Sequence, residues 1–178
     1  MAEPFILGVD LDGVCAVDPW AGTDDEPEER VYRDLEPIDG AAETLWRLSD
    51  AGVWIRVVTH RLHVNGGHRA AVIDTVEWLD RAHIPYRDLC FLGAKPQVEA
   101  DLYVDDSPDN IAALRKAGNE VVVFDQPYNQ DQRAPRAHGW AEVEEIVMER
   151  FTERQGVHGV QTQLPGVDGT LGRRLGSD

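Results

Sequence analysis

The sequence has few cysteines, few basic residues for its acidic content, and no long apolar run. Cys15 and Cys90 are its two cysteines, too few for a disulfide framework or a cysteine-based zinc cluster. Seventeen Lys and Arg against 33 Asp and Glu give a net charge of −16, so the chain lacks the basic surface that nucleic acid or anionic lipid would bind. Neither about 18 consecutive apolar residues nor a basic-then-apolar leader occurs, so we expect no membrane span and no secretory signal. These absences favour a reduced, cytoplasmic protein.

The remaining composition is that of a globular protein. Hydrophobic residues make up 42% and charged residues 28% of 178 residues, which suits one compact domain with its own core. We assign that domain to residues 1–151, with a short acidic insert at 13–33. Residues 152–178 contain six glycines and few large apolar side chains, so we expect a flexible tail there.

Short apolar runs alternate with segments of helical periodicity. The runs, bounded by turn residues, predict buried parallel strands, and they are Phe5–Val9, Val53–Val58, Leu89–Leu92, Leu102–Val104 and Val121–Phe124. Apolar residues with helical spacing lie between the runs, and a last helix is predicted at about residues 139–151. This alternation predicts an α/β fold with a doubly wound, Rossmann-like parallel sheet.

Charged and hydroxyl side chains follow most of these predicted strands. Asp10 and Asp12 follow the first, Thr59 the second, and Asp105 and Asp106 the run at Leu102–Val104. Lys95 follows the Leu89–Leu92 run. Since parallel strands end at one edge of the sheet, the pattern predicts a single site there. Crowded carboxylates repel one another unless a cation neutralises them, and Mg²⁺ prefers carboxylate oxygens.

The motifs formed by these residues resemble those of a known superfamily. D-L-D-G-V at 10–14, Thr59, Lys95 and D-D-S-P-D-N at 105–110 are similar, in order, to the four motifs of haloacid-dehalogenase (HAD) phosphohydrolases. D-L-E-P-I-D-G-A at 34–41 is similar to the 5′(3′)-deoxyribonucleotidase-like branch. The resemblance covers about residues 5–128 and implies a HAD-like fold.

The resemblance also implies a magnesium-dependent phosphomonoester hydrolase. Asp10 would attack phosphorus to give an aspartyl-phosphate, and Asp12 would act as general acid and then general base. A proton donor at Asp12 favours phosphate esters over alkyl halides, because a halide leaves without a proton. Thr59 and Lys95 would bind the phosphoryl oxygens.

The remaining assignments complete the expected site. Mg²⁺ would bind Asp10, the backbone carbonyl of Asp12, and Asp105, whereas Asp106 would support the site from its edge. His60 and Arg61 directly follow Thr59, so we expect them to contact the substrate.

The same fold allows two other functions. A phospho-acceptor receiver domain also combines acidic residues, a hydroxyl and a lysine, but its acidic pair precedes a phosphorylated Asp in the middle of the chain. Here D-x-D comes first and D-D last, which does not fit that order. A binding module without turnover is the third function, and the retention of both Asp10 and Asp12 argues against it.

The sequence does not identify the substrate. Only 21 residues, 13–33, stand where this branch usually carries a helical cap, so we expect a minimal cap or none and do not transfer nucleotide specificity. A nucleotide, a sugar phosphate or another small phosphorylated metabolite fits equally. The acidic segment 18–30, with Trp20, is the candidate lid. A homo-oligomer that completes the open site is the alternative to a lid.

Overall fold

A computed structural model describes residues 3–19, 31–63 and 67–161. Residues 20–30, which contain most of the candidate lid and Trp20, lie outside the described residues. So do residues 162–178 of the expected tail. The lid and tail hypotheses therefore stay predictions.

Strands and helices alternate along the described chain. The strands are β1 (Ile6–Val9), β2 (Trp54–Thr59), β3 (Asp88–Phe91), β4 (Leu102–Asp105), β5 (Val121–Phe124) and β6 (Arg136–Ala137). The α-helices are α1 (Ala41–Ala51), α2 (His68–Arg81), α3 (Pro108–Lys116) and α4 (Trp140–Gln161). Short 3-10 turns lie at Val31–Arg33, Arg61–His63, Lys95–Gln97 and Pro127–Asn129.

The described strands form one parallel sheet in the order β3-β2-β1-β4-β5-β6. The chain winds outward from β1 to β3, then returns to the other side of β1 and winds outward again through β4 to β6. Val9 at the end of β1 is paired with Val57 of β2 and Val104 of β4. The predicted α/β fold with a doubly wound parallel sheet is confirmed.

Successive strand residues face opposite sides of the sheet and pack against different helices. On β5, Val122 faces the larger core, which includes Leu45 of α1, Trp78 of α2 and Val147 of α4. Val121 faces the smaller core with Leu114 of α3. Because both faces are covered, β1 and β5 are apolar along their whole length rather than alternating with polar residues.

Two features differ from the sequence-based expectation. Strand β6 was not predicted, because two residues, one of them Arg136, form no apolar run. Helix α4 begins at Trp140 and continues to Gln161, so it extends ten residues beyond the predicted end at 151. The first part of the expected tail, residues 152–161, is therefore helical, and its glycines do not end the helix.

No helix in the described part of the chain is long and apolar enough to cross a bilayer.

The winding direction reverses between β1 and β4, the two central strands. Helices that connect strands on the two sides of this point lie on opposite faces of the sheet, which leaves a crevice at the carboxyl ends of the two strands. Asp10 directly follows β1, and Asp105 ends β4. The topology alone therefore brings the two acidic motifs together.

Candidate active site

The predicted site residues meet at a cavity of about 370 Å³. Asp10, Asp12, His60, Arg61 and Asp106 are among the residues that line it. The cavity lies at the carboxyl ends of β1, β2 and β4, where the sequence analysis expects the site.

Lys95 joins two of the aspartates, of which Asp10 lines this cavity. Its Nζ lies 2.7 Å from Asp10 Oδ2 and 2.7 Å from Asp105 Oδ2, and its side chain is almost completely buried. Asp10 Oδ1 also accepts a hydrogen bond of 2.7 Å from the Leu11 amide. The lysine partly neutralises the carboxylates and fixes the orientation of Asp10.

Burial and mutual repulsion shift the pKa values of the acidic groups in the site. Burial raises the pKa of Asp10, Lys95 opposes the shift, and Asp105 and Asp12 reinforce it. Burial likewise raises the pKa of Asp106, and the charges of Asp10 and Asp105 raise it further. Burial alone would lower the pKa of Lys95, but Asp10 and Asp105 raise it above its ordinary value. One ammonium therefore does not fully compensate the carboxylates around it.

Asp105 and Asp106 differ in how their oxygens are used. Asp105 Oδ2 accepts from Lys95, while its Oδ1 accepts from the Ser107 amide at 3.1 Å and Asn110 Nδ2 at 3.2 Å. Asp106 Oδ2 accepts from the Tyr128 hydroxyl. Asp106 Oδ1 is buried and accepts no hydrogen bond from the described residues. An acceptor left without a donor in a buried site is a free ligand atom for a cation.

The donor set fits Mg²⁺. Among the described residues, Asp10, Asp105 and Asp106 each offer a carboxylate oxygen, and these oxygens lie within 4.8 Å of one another. All are hard oxygen donors, and the adjoining cavity has room for the waters that Mg²⁺ retains. Asp106, which the sequence analysis places at the edge of the site, thus lies within the acidic cluster.

Gly13 allows the D-L-D-G-V motif to lie in close contact with Asp106 of the D-D-S-P-D-N motif. Its φ is +83°, a conformation that L side chains rarely adopt, and an added Cβ would lie 2.0 Å from Asp106 Oδ2. Gln126 Nε2 donates to the Gly13 carbonyl at 2.7 Å. The glycine of D-L-D-G is therefore needed for both backbone conformation and space.

Thr59 and His60 lie on the β2 side of the cavity. Thr59 ends β2 and is buried, and its Oγ1 accepts from the Arg61 amide at 3.3 Å. His60 lines the cavity directly after it. Both are placed beside the acidic cluster, and their contacts with a substrate stay predictions.

Arg61 is buried beside Asp12, and its expected contact with a substrate stays a prediction. Its side chain exposes no surface, and its Nη2 lies 2.6 Å from Asp12 Oδ1. Its Nε donates to Asp12 Oδ2 at 2.9 Å. The guanidinium therefore holds the Asp12 carboxylate at the wall of the cavity, which both residues line.

Two cavity residues, Tyr32 and Tyr128, were missed by the sequence analysis. Tyr32 lies in the 3-10 turn Val31–Arg33, and Tyr128 lies in the turn Pro127–Asn129 beyond β5. Neither follows a strand directly or belongs to a motif. The position of Tyr128 after the β5 end, at the same sheet edge, was the one available signal.

Cys15 lies close to the site and is fully buried. Burial, together with the charge of Asp10, raises the pKa of its thiol. A protonated thiol is a weak nucleophile, and Cys15 packs in the larger core.

Sequence comparisons relate the chain to nucleotidases. The family model described as "5' nucleotidase, deoxy (Pyrimidine), cytosolic type C protein" matches residues 26–152. A protein of Chlorobaculum tepidum named "Putative 5'(3')-deoxyribonucleotidase" is 36% identical over 181 residues, covering 80% of this chain and 90% of that protein. A nucleotidase of Clostridium acetobutylicum is 32% identical over 103 residues, covering 53% of this chain and 54% of its own length.

A structural comparison supports the fold. The D,D-heptose 1,7-bisphosphate phosphatase of B. bronchiseptica, solved with magnesium and phosphate, has a TM-score of 0.59 and 13% sequence identity. The match covers 82% of this chain and 98% of that chain. At this identity the likeness concerns the fold alone.

The family match, the long alignment at 36% identity and the fold agree with one another. They confirm the expected HAD phosphohydrolase and its nucleotidase-like branch, and they favour a hydrolase over a receiver or binding module. The chain therefore belongs to the cytosolic type C 5′-nucleotidase family of HAD-like phosphatases, which hydrolyse phosphomonoesters.

Proposed function

We propose that the chain is a magnesium-dependent nucleotidase that hydrolyses a small nucleoside monophosphate through a phosphorylated Asp10. The observation that carries this proposal is the Asp10–Lys95 pair, with 2.7 Å between Oδ2 and Nζ, at the edge of a cavity next to an acidic cluster. A carboxylate oriented by a buried ammonium is a suitable nucleophile for phosphorus, because its attacking oxygen is held in place before the substrate arrives.

The first step forms the phosphoenzyme. An Asp10 oxygen forms a bond to phosphorus while the bond from phosphorus to the ester oxygen breaks. Asp12 gives a proton to that ester oxygen, which leaves as an alcohol. Lys95 and Thr59 stabilise the negative charge on the phosphoryl oxygens during the transfer.

The second step restores the enzyme. Water attacks the same phosphorus, Asp12 takes the proton of that water, and the bond between Asp10 and phosphorus breaks. Asp12 ends the first step without its proton, so it is in the state that the second step needs. One carboxyl group therefore serves both halves of the reaction.

The residues proposed to hold Mg²⁺ are Asp10 and Asp106, together with the backbone carbonyl of Asp12. Asp105 was expected from the sequence as a ligand and belongs to the same acidic cluster, but Lys95, Ser107 and Asn110 all donate to it, whereas Asp106 Oδ1 accepts from none of the described residues. We therefore assign Asp105 to the support of Lys95. Bound Mg²⁺ would neutralise the carboxylates and the phosphoryl group and so permit their approach.

A small nucleotide is the substrate class that best fits. The C. tepidum relative is named a deoxyribonucleotidase, and the cavity of about 370 Å³ has Tyr32 and Tyr128 on its lining, two rings beside which a base can pack. The net charge of −16 disfavours a nucleic acid as substrate. We place this activity in the cytoplasm, on free nucleotides.

The proposal is tested with a panel of nucleoside monophosphates, sugar phosphates and simple phosphate esters. We expect phosphate release from nucleotides with Mg²⁺, none after chelation, and a loss of at least about 1000-fold in Asp10→Asn. Asp109→Asn serves as the matched control, since Asp109 is exposed in the first turn of α3. Activity of Asp10→Asn within tenfold of wild type, or full activity after chelation, would contradict the proposal.

A further inference from the structure

Arg61 and Asp12 form a two-point ion pair beside the nucleophile. Arg61 Nη2 donates to Asp12 Oδ1 at 2.6 Å, and Nε donates to Asp12 Oδ2 at 2.9 Å. Side-by-side bonds between a guanidinium and a carboxylate fix the orientation of the carboxylate as well as its distance. Asp12 is nevertheless 18% exposed, on the cavity side, while Arg61 is fully buried.

Arg61 is itself held from several sides. Its guanidinium carbon lies 4.5 Å from the ring centre of Tyr32 and 5.5 Å from that of Trp78. Its Nη1 lies 3.4 Å from Thr75 Oγ1 on α2, and its amide donates to Thr59 Oγ1. Stacking on aromatic rings suits the flat guanidinium and not an ammonium, so the site is built for arginine.

We propose that Arg61 is a positioning residue, which holds the Asp12 carboxylate where it transfers a proton to and from the reacting oxygens. This inference rests on the proposed role of Asp12. A carboxylate has about four acceptor positions, so two bonds from Arg61 leave others free toward the cavity. Proton transfer needs the two oxygens within about 2.6–3.2 Å, and a carboxylate that rotates freely meets that condition only part of the time.

This role differs from the binding of the phosphoryl group. An arginine that bound phosphate would direct donors to the phosphoryl oxygens, whereas Nε and Nη2 of Arg61 donate to Asp12 and Nη1 lies near Thr75. It would also affect every phosphate ester alike. An arginine that acts through Asp12 affects only the substrates whose leaving oxygen needs a proton.

The test compares two substrates in Arg61→Lys. A deoxyribonucleoside monophosphate releases an alcohol and needs the proton of Asp12, whereas p-nitrophenyl phosphate releases a stable anion. The ratio kcat/KM covers the steps up to release of the leaving group, so the later attack of water does not obscure the comparison. We expect kcat/KM to fall about 100-fold for the nucleotide and less than about fivefold for p-nitrophenyl phosphate. Equal losses on both would overturn the proposal.

A double variant shows whether Arg61 acts through Asp12. Asp12→Asn should show the same bias between substrates, and adding Arg61→Lys should lower its kcat/KM less than about twofold further. A loss as large as in the wild-type background would contradict the positioning role. If Asp12→Asn itself shows no bias, the proposed role of Asp12 fails, which is distinct from a failure at Arg61.

Arg56→Lys provides the matched control. Arg56 lies in β2, shortly before Arg61 in the chain, and likewise pairs with an aspartate, at 2.7 Å from Asp88 Oδ2, but it does not line the cavity. We expect no change in the substrate ratio for this variant. If Arg61→Lys does not fold, Thr75→Val removes the 3.4 Å contact of Arg61 Nη1 and leaves the ion pair with Asp12, at a residue that does not line the cavity. It should shift the substrate ratio in the same direction by at least about threefold, and an unchanged ratio would overturn the proposal.

Discussion

At the scale of single residues, the neighbouring Asp105 and Asp106 are chemically distinct. Asp105 is surrounded by donors, whereas Asp106 Oδ1 is buried without one among the described residues. We expect Asp106→Asn to weaken Mg²⁺ binding at least about 100-fold, because the free acceptor becomes a neutral amide. Isothermal titration with MgCl₂ measures this directly. Asp109→Asn is the control, and equal affinity in the two variants would show that Asp106 is not a ligand.

Tyr128 orients Asp106 by donating its hydroxyl hydrogen to Oδ2. Mutation of a residue that orients a metal ligand typically weakens metal binding by about 10–100-fold. We expect Tyr128→Phe to weaken Mg²⁺ binding about tenfold in the same titration, with little change in thermal midpoint. A variant that binds Mg²⁺ as tightly as wild type would assign Tyr128 to the substrate side of the cavity instead.

The candidate site residues were predicted from the sequence where each one directly follows a strand. Asp10, Thr59 and Asp105 were placed in this way, because strand ends of a parallel sheet meet at one edge. The burial of Arg61 was not predictable, because it depends on Tyr32 and Trp78, which approach from distant parts of the chain. Which oxygen of Asp105 or Asp106 is free depends likewise on partners such as Tyr128.

At the scale of elements, the apolar strands were the most predictable part. Val121–Phe124 has the predicted bounds, and the other four predicted strands differ by one residue at one end or at both, because buried parallel strands contain short apolar runs. Strand β6 and the end of α4 were not predicted, since neither has an apolar pattern. Their positions follow from contacts with the rest of the fold.

The extension of α4 beyond 151 gives a prediction about stability. Arg154 pairs with Asp101 and lies 6.0 Å from the ring centre of Phe5. Asp101 Oδ2 in turn accepts from the Ile6 amide at 2.7 Å. Ending the chain at Phe151 should lower the free energy of unfolding by about 1–2 kcal/mol.

The matched truncation ends the chain at Gln155 and keeps these contacts. We expect it to cost less than about 0.5 kcal/mol, because the truncation leaves the Arg154 contacts intact. Urea unfolding followed by circular dichroism measures both variants. Equal losses in the two would mean that residues after Gln155 contribute the stability.

At the scale of the whole molecule, part of the excess negative charge lies in the buried acidic cluster of Asp10, Asp105 and Asp106. Burial raises the pKa of Asp10 to about 7 and of Asp106 to about 8, from an ordinary value of 3.8. These groups bind protons more tightly in the folded than in the unfolded protein. Their contribution to stability is therefore present at low pH and is lost as the pH rises from about 4 to about 8.

We accordingly expect the metal-free protein to lose several degrees of thermal midpoint between pH 5.5 and pH 8. Saturating Mg²⁺ should reverse this loss, because it binds the ionised carboxylates of the folded state. Differential scanning calorimetry in chelator and in MgCl₂ tests both statements. In Asp106→Asn we expect the thermal midpoint of the metal-free protein to fall less steeply with pH. A midpoint that rises with pH in chelator would contradict the assignment.

The central claim is that Asp10 carries the phosphoryl group between the two steps. It is tested most directly by acid-quenching the Asp12→Asn variant during turnover of p-nitrophenyl phosphate, then mapping phosphate by peptide mass spectrometry. The variant lacks the base for the attack of water, so the phosphoenzyme should accumulate. We predict one phosphoryl group on Asp10 and none when Asp10→Asn is added. Nitrophenol release with no phosphorylated peptide, or with phosphate on another residue, would contradict the account.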